Sequence, residues 1–130
     1  MIEKSKITKN KLKEFNPLSL AFVGDSVHTL FIRDYVMKNQ NLKVGKLHLI
    51  SAKYCKAQAQ SKVFDKIFSE LTSEEKEIAL QARNHKSHTA KNANPEDYKK
   101  ATAFEAVIGY LYLIGEENRL NELLEKSIEI

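Results

Sequence analysis

Apolar residues recur along this chain at spacings of three and four, and no segment alternates apolar with polar residues. Alternation is typical of a half-buried strand, whereas the three-to-four spacing is typical of an amphipathic helix. Glycine and proline number only four and two in 130 residues, so few hairpin turns are available. Because each helix must bury its apolar stripe against another helix, we expect an all-α domain of five to seven helices.

Two Asn-Pro dipeptides mark the starts of the two longest helices. An asparagine side chain caps the free N–H groups of a first turn, and proline fits the first helical position. Asn16-Pro17 precedes a helix that we expect to reach about Lys38. Asn94-Pro95 precedes a second long helix that ends at Ile114, where Gly115 suits a left-handed cap. The residues of the first helix that are available for burial are Leu18, Ala21, Phe22, Leu30, Ile32, Tyr35 and Val36.

Three further helical regions and one loop complete the expected fold. Residues 44–70 form a helical region interrupted once, and the capping-box spacing of residues 72–75 starts a helix that runs to about residue 84. Residues 85–94 contain no large apolar side chain, which favours an exposed loop. A last amphipathic helix begins near residue 117 and carries Leu120, Leu123, Leu124 and Ile128.

The domain division follows from length and composition. Residues 1–15 are expected to form a polar, mobile N-terminal arm with five lysines, and residues 16–130 a single folded domain. The arm lacks the apolar core of a signal peptide. The longest apolar stretch, residues 106–114, is much shorter than the roughly 20 residues of a membrane span. Cys55 is the only cysteine, which excludes an intrachain disulfide and predicts a cytoplasmic location.

The formal net charge is +4, and the positive charge is concentrated in two segments. Residues 1–14 and residues 81–100 each contain five basic and two acidic residues, whereas residues 116–130 are acidic. A basic segment of this kind favours contact with a polyanion, such as the phosphate backbone of a nucleic acid. The alternative is a solvated surface loop.

Two acidic residues occur within otherwise apolar helical segments. Asp25 lies in LAFVGDSV at residues 20–27, and Glu105 lies in ATAFEAVIGY at residues 101–110. Aspartate is a poor helix former, and Gly24 costs about 1 kcal/mol relative to alanine, so this position indicates that a neighbouring backbone approaches closely. A buried carboxylate also needs a counterion or a donor. The alternatives for each acid are a functional site and a structural ion pair.

If the two long helices pack together, Asp25 and Glu105 form a plausible site for a hard divalent cation. Mg²⁺ prefers one or two carboxylates, several waters and the phosphate oxygens of a substrate. That chemistry suits phosphodiester hydrolysis, in which the ion activates water and neutralises phosphate charge. Thr102 shares the helical face of Glu105. His28, one turn after Asp25, either orients a ligand or packs in the core, and no histidine spacing fits a zinc site.

Both acidic segments resemble motifs of the ribonuclease III family. LAFVGDSV resembles the signature helix of that family, LEFLGD(A/S)V, and TAFEAVIG at residues 102–109 resembles its second acidic helix, DTFEALIG. RNHKS at residues 83–87 is similar to the RNAKS of one branch, Mini-ribonuclease III. That branch consists of the catalytic domain without a double-stranded-RNA-binding domain. The resemblance extends from Asn16 to the C-terminus.

Two positions depart from the usual motifs. The family has a glutamate where this chain has Ala21 and an aspartate where it has Thr102, so half of the four-carboxylate set is absent. The Mini-ribonuclease III branch shares this reduced set, and the differences therefore favour that assignment. With fewer anionic ligands, the ion should bind more weakly and keep more waters. Thr102 is then a candidate to contribute a hydroxyl or to hold a metal-bound water.

The resemblance implies a ribonuclease III endonuclease-domain fold and a metal-dependent endoribonuclease that cuts double-stranded RNA. It implies a homodimer in which each subunit offers Asp25 and Glu105 as catalytic residues and ligands of Mg²⁺, with Mn²⁺ able to substitute. The implied substrate is the stem of a 23S-type large-subunit ribosomal RNA precursor, cut with the help of a large-subunit ribosomal protein. The RNA-binding residues that it implies are Arg83, Asn84, Lys86, Ser87 and Lys91.

A competing hypothesis assigns the fold to a catalytically inactive module that binds double-stranded RNA or assists ribosome assembly. The residues that favour it are Ala21 and Thr102, where the usual carboxylates are missing. Against it, two unpaired acids in apolar helices would lower stability without serving catalysis. The sequence therefore favours the nuclease.

Overall fold

The computed structural model describes residues 6–85 and 94–129, which form seven α-helices, one 3-10 helix and no strand. The prediction of an all-α fold with five to seven helices is confirmed. No helix within the described residues is long and apolar enough to cross a membrane. The α-helices are α1 (Lys9–Leu12), α2 (Pro17–Asn39), α3 (Val44–Cys55), α4 (Ala57–Ile67), α5 (Ser73–Asn84), α6 (Pro95–Ile114) and α7 (Glu117–Lys126), and the 3-10 helix is Phe68–Glu70.

Both Asn-Pro signals start helices as predicted. The side chain of Asn16 accepts a hydrogen bond from the backbone N–H of Leu18 at 2.8 Å, at the start of α2. The side chain of Asn94 accepts from two backbone N–H groups at the start of α6. Gly115 ends α6 in the left-handed conformation with φ 78°, which residues with a Cβ rarely adopt. The capping chemistry therefore sets the start of both long helices and the C-terminal end of α6.

The shorter helices also follow their sequence signals. The helical region over residues 44–70 is interrupted at Lys56, whose extended backbone separates α3 from α4. The capping box at the start of α5 is complete, because Thr72 and Glu75 each accept from the other's backbone N–H. Glu75 also accepts two hydrogen bonds from Arg119 of α7, at 2.9 and 3.0 Å. One buried carboxylate thus links the start of α5 to the last helix.

Helix α6 lies at the centre of the domain and packs against α2, α4 and α5. Its side chains are buried around most of its circumference, with Phe104, Val107 and Ile108 fully buried. A helix that is apolar on nearly every side is stable only when other helices surround it. The core is therefore organised around α6, and α2 supplies its largest contact surface.

Two glycines allow α2 and α6 to approach each other at backbone distance. A Cβ atom at Gly24 would overlap the backbone carbonyl of Glu105, and a Cβ atom at Gly109 would overlap that of Leu20. The obstructing atoms are backbone atoms, which have little freedom to move aside. The close approach predicted at Gly24 is therefore present, and Gly109 supplies the matching surface on α6.

The prediction of a mobile N-terminal arm is wrong for the part of the arm near α1. Leu12 is 2% exposed and belongs to the core. The backbone N–H of Ile7 donates to the carbonyl of Leu113 at 2.9 Å, and Lys9 forms an ion pair with Glu74. The lysine-rich composition concealed two apolar side chains that are sufficient to hold this segment against α6. The division of the chain between residues 15 and 16 stays a prediction.

Two burial predictions for α2 are also wrong. Phe22 and Leu30 were expected to be available for burial, but they are 79% and 56% exposed. Ala21, Ile32 and Val36 are buried as predicted, and the core face of α2 also carries Leu20 and His28, which were not in the predicted set. Helical spacing indicates which residues share a face but not which face meets α6, and Gly24 determines that. The loop predicted over residues 85–94 lies mostly outside the described residues.

We expect the substitutions Gly24→Ala and Gly109→Ala to lower the free energy of unfolding by roughly 2–3 kcal/mol or more, because each methyl group forces the two backbones apart. The matched control is Gly45→Ala in α3, where an added Cβ has no atom within 4 Å. That change should raise stability by up to about 1 kcal/mol through helix propensity. Urea unfolding followed by circular dichroism measures all three, and a mild effect at Gly24 similar to that at Gly45 would contradict the close crossing.

Candidate active site

The crossing of α2 and α6 brings the two predicted acidic residues together. Asp25 follows Gly24 on α2, and the backbone carbonyl of Glu105 on α6 lies directly against Gly24. The Asp25 carboxyl group lies close enough to that of Glu105 to raise its pKa, both by hydrogen bonding and by its negative charge. Two acids separated by 80 positions in sequence therefore share one site.

The two carboxyl groups differ in their exposure. Asp25 is exposed to solvent, whereas Glu105 is largely buried. The expectation that both acids lie in apolar surroundings is therefore wrong for Asp25, which lies at the edge of the core face of α2. In the described part of the chain, no lysine or arginine nitrogen lies within 4 Å of either carboxylate. Among these residues the structure does not show the ion pair that was the alternative to a functional site.

The environment of Glu105 opposes its ionisation. Burial, followed by the hydrogen bond and negative charge of Asp25, raises the pKa of Glu105 to about 8, and a hydrogen bond from the Gln60 side chain acts in the opposite direction. Burial disfavours the charged form, and a like charge adds to this effect. Near neutral pH the pair therefore holds a proton in the absence of a cation.

The donor chemistry of this pair fits a hard divalent cation. A cation between the carboxylates would replace the shared proton and neutralise the repulsion between them. Residues 6–85 and 94–129 contain no group of three or more histidine, cysteine, aspartate or glutamate side chains arranged to hold a metal ion. An ion bound by two carboxylates must take its remaining ligands from water and from the substrate. Two carboxylates supply the oxygen ligands that a hard divalent cation prefers.

The two accessory candidates, Thr102 and His28, lie on the same helices as the acidic pair, α6 and α2. The Thr102 hydroxyl donates to the backbone carbonyl of Tyr98 at 2.9 Å. Its proton is therefore engaged within α6, and its oxygen is still able to accept a hydrogen bond. His28 is fully buried, with its ring 5.1 Å from that of Phe104 in an edge-on arrangement. Burial lowers the pKa of His28 to about 4, so the ring is neutral at pH 7 and adds no positive charge.

One polar residue beside the acidic pair, Gln60, could not be predicted from the sequence. Gln60 of α4 is 2% exposed, and its Nε2 lies 3.0 Å from Nδ1 of His28. Its side chain also lies close enough to Glu105 to act on that carboxyl, and it lowers the pKa of Glu105. Gln60 lies in a run of small and polar residues that resembles a solvated helix surface. Only the packing of α4 on α6 places this amide in the interior.

The predicted RNA-binding residues are only partly described. Arg83 and Asn84 are the last two residues of α5, and the Arg83 guanidinium lies 3.5 Å from the carboxylate of Glu96. Lys86, Ser87 and Lys91 lie outside the described residues. The structure thus places the start of the basic segment beside the start of α6, the helix that carries Glu105.

A second basic surface was missed in the sequence. Between Asp34 and Asp65 the chain contains six lysines and no acidic residue. Of these, Lys53, Lys56 and Lys62 line one cleft of about 740 Å³ along α3 and α4. No carboxylate oxygen of the described residues lies within 4 Å of these three ammonium groups. We call this surface the lysine cleft, and a scan for acid-free stretches would have found it.

Comparison with known proteins assigns this geometry to a family. A model of the ribonuclease III domain matches residues 18–116. The chain is 46% identical over 125 residues to the Mini-ribonuclease 3 of Clostridium tetani, covering 95% of this chain and 83% of that protein. It is 43% identical over 124 residues to the Mini-ribonuclease 3 of Staphylococcus aureus, covering 93% and 92%.

A solved structure shows the same architecture. A crystal structure of a Fusobacterium nucleatum protein aligns with a TM-score of 0.84 and 30% sequence identity, over 96% of this chain and 98% of that one. The chain belongs to the Mini-ribonuclease III branch of the ribonuclease III family. It is an endoribonuclease of the ribonuclease III type, whose family acts on double-stranded RNA and is generally dependent on a divalent metal. The resemblance inferred from the two acidic motifs is confirmed.

We expect Glu105→Gln to stabilise the metal-free ribonuclease at alkaline pH. The pKa of Glu105 is raised in the folded state from 4.5 to about 8, so the folded protein holds this proton more tightly than the unfolded chain. The stability that Glu105 contributes is fully present below its unfolded pKa of 4.5, and it is lost as the pH rises to its folded pKa of about 8. Glutamine cannot ionise, so the variant lacks this decline.

Thermal unfolding in a chelator at pH 5 and at pH 8.5 measures this effect. The Tm of the variant should exceed that of the wild type more at pH 8.5 than at pH 5, and about 1 kcal/mol corresponds to roughly 4 °C in a domain of this size. Asp34→Asn, which removes an exposed carboxylate paired with Lys38, is the control. Parallel pH profiles for the wild type and Glu105→Gln would show that Glu105 ionises normally.

Proposed function

We propose that this endoribonuclease hydrolyses double-stranded RNA at the pair formed by Asp25 and Glu105, with Mg²⁺ as the cofactor and Mn²⁺ able to replace it. The observation that carries the proposal is the contact between two carboxyl groups with no cationic side chain within 4 Å in the described residues. In a protein, such a pair is expected to bind a cation or to share a proton. Family membership identifies the substrate class and the reaction.

The two acids have different roles in this proposal because their exposure differs. Asp25 is exposed and can face an incoming phosphate together with the ion. Glu105 is largely buried and is held by Gln60, so it anchors the ion from the protein side. When bound, the ion supplies charge neutralisation at the phosphate and lowers the pKa of a water molecule. Thr102, one turn before Glu105, is placed to hold a water through its hydroxyl oxygen.

The basic surfaces near the acidic pair account for binding of the RNA backbone. Cys55, the last residue of α3, lies close enough to Asp25 and Glu105 for their charges to raise its pKa, although burial is the larger cause. The lysine cleft begins next to it at Lys56. We propose that this cleft, together with Arg83, Asn84, Lys86, Ser87 and Lys91, contacts phosphates and 2′-hydroxyls. Duplex RNA is recognised mainly through these groups and through shape.

We also propose that the enzyme is a homodimer that forms through an exposed apolar face. On α2, Phe22, Leu30 and Met37 are 79%, 56% and 60% exposed, and they lie on one side of the helix. Leu49 of the neighbouring α3 is 69% exposed. Large apolar side chains grouped on a surface indicate a protein interface. Members of this family are typically dimeric, and a two-fold axis here would place two acidic pairs near one duplex.

The finer assignment concerns the natural substrate. We propose that residues 16–130 form the catalytic domain and that residues 1–15 form an accessory arm. The proposed substrate is the double-stranded stem of a 23S-type ribosomal RNA precursor in the cytoplasm, processed with a large-subunit ribosomal protein as a partner. The similarity to the Mini-ribonuclease III branch supports this assignment. The net charge of +4 is compatible with binding to a structured RNA.

The test is cleavage of a long, perfectly paired RNA with and without Mg²⁺. We expect Asp25→Asn and Glu105→Gln each to lower the cleavage rate by at least about 10²-fold, since each removes a ligand of an ion that supplies several kcal/mol to the transition state. Asp34→Asn, the same change on the same helix, should retain the wild-type rate. Duplex binding without cutting by the wild type in any divalent metal would instead identify an inactive RNA-binding module.

The dimer has its own test. We expect the double substitution Phe22→Ser and Leu30→Ser to weaken self-association by at least roughly 100-fold, because each Phe removed from an interface forfeits about 1.5–3 kcal/mol and the interface contains it twice. Analytical ultracentrifugation measures the change. The control is Leu80→Ser on α5, an exposed leucine outside this face. An unchanged sedimentation coefficient in the double variant would place the dimer interface elsewhere.

A further inference from the structure

The interior side of the acidic pair contains a polar chain that runs through three helices. A hydrogen bond of 3.0 Å joins His28 on α2 to Gln60 on α4. The Gln60 side chain in turn lies close enough to Glu105 on α6 to lower the pKa of that carboxyl. His28 and Gln60 are 0% and 2% exposed, so neither side chain is able to exchange its partners for bulk water. Buried polar groups are costly unless they are hydrogen-bonded, so each link in this chain restricts the next.

The chemistry of an amide determines how Gln60 is oriented. When a cation is bound, Glu105 is ionised and its carboxylate only accepts hydrogen bonds. In that state Gln60 must present its nitrogen, and not its oxygen, to Glu105. The same nitrogen lies 3.0 Å from Nδ1 of His28. An amide nitrogen has two hydrogens, so it can donate one to Glu105 and the other to His28. A rotation of the amide by 180° would place its oxygen against the carboxylate.

His28 is suited to be the acceptor in this arrangement. A neutral imidazole has one nitrogen that accepts and one that donates, whereas a charged ring only donates. Because Nδ1 accepts from Gln60, the ring proton resides on Nε2. That atom is buried and has no hydrogen-bond partner among the described residues. The ring of Phe104, packed edge-on against His28, keeps the imidazole in place.

We propose that Gln60 is a positioning residue that holds the Glu105 carboxylate for metal binding, and that His28 fixes the orientation of the Gln60 amide. This inference rests on the proposed function, because it requires Asp25 and Glu105 to bind the cation. Neither Gln60 nor His28 contacts the substrate in this assignment. Gln60 does not bind the cation itself but orients Glu105, which does, and His28 acts only through Gln60. Loss of such outer partners typically reduces metal affinity by about 10- to 100-fold.

The direct measurement is binding of Mn²⁺ alone to the full-length protein, followed by the electron paramagnetic resonance signal of the free ion. Gln60→Met keeps the length and approximate volume of the side chain but removes both N–H donors. We expect it to weaken Mn²⁺ binding by about 10-fold or more. Gln58→Met is the matched control, since Gln58 is exposed two positions earlier on the same helix and should leave affinity unchanged.

A double-mutant cycle tests whether His28 acts through Gln60. His28→Phe removes the acceptor while keeping a ring against Phe104, and we expect it to weaken Mn²⁺ binding by several-fold. In the Gln60→Met background the same change should have no further effect on affinity, because the amide that it orients is absent. Equal effects of His28→Phe in both backgrounds would overturn the proposed order of action.

Stability is measured in parallel to separate positioning from packing. A variant with a lowered Tm but wild-type Mn²⁺ affinity would show that Gln60 is only structural and would overturn the inference. Should Gln60→Met fail to fold, His28→Phe decides the question alone, since an unchanged affinity in that variant refutes the relay. Asp25→Asn separates this result from failure of the proposed function. If that substitution leaves Mn²⁺ binding unchanged, the acidic pair is not the metal site.

Discussion

The backbone contact between α2 and α6 is the constraint on which the rest of the structure depends. It exists because Gly24 and Gly109 lack the Cβ atoms that would keep the two helices apart. This contact determines the rotation of α2, and therefore which of its side chains enter the core. Phe22 and Leu30 are left outside, whereas His28 is turned inward. The same contact sets Asp25 against Glu105, so the packing of the core and the geometry of the site have one origin.

The environment of the acidic pair keeps Glu105 protonated near neutral pH. Burial and the neighbouring charge of Asp25 both disfavour ionisation of Glu105, and only the Gln60 side chain acts in the opposite direction. A site of this kind holds a proton when no cation is present and exchanges it for a cation on binding. Metal affinity in this ribonuclease should therefore increase with pH up to about 8, where Glu105 loses its proton. If Asp25 and Glu105 hold the ion as proposed, two carboxylates would leave coordination positions for water and for the substrate phosphate.

Much of the fold was predictable because its signals are local. The caps at Asn16 and Asn94, the capping box at Thr72 and the left-handed Gly115 each act within one turn of helix, so residue identity is sufficient to place them. Failures occurred where burial depends on a distant partner. The arm near Leu12 appeared mobile because its lysines outnumber its apolar residues, yet one buried leucine docks it. The lysine cleft was missed because its members are spread over two helices.

The sequence by itself determined the helices, their ends, the two acidic motifs and hence the family, since these depend on short-range geometry and on residue types in order. It also indicated close packing at Gly24, because an aspartate beside a glycine is unfavourable inside a helix without a compensating contact. Only the tertiary structure decided that Asp25 remains exposed while Glu105 is largely covered by neighbouring helices. It alone brought Gln60 and His28 to the interior side of the pair. The physical reason is that hydrogen bonding in the interior depends on which faces three separate helices turn toward one another, and spacing along one helix does not contain that information.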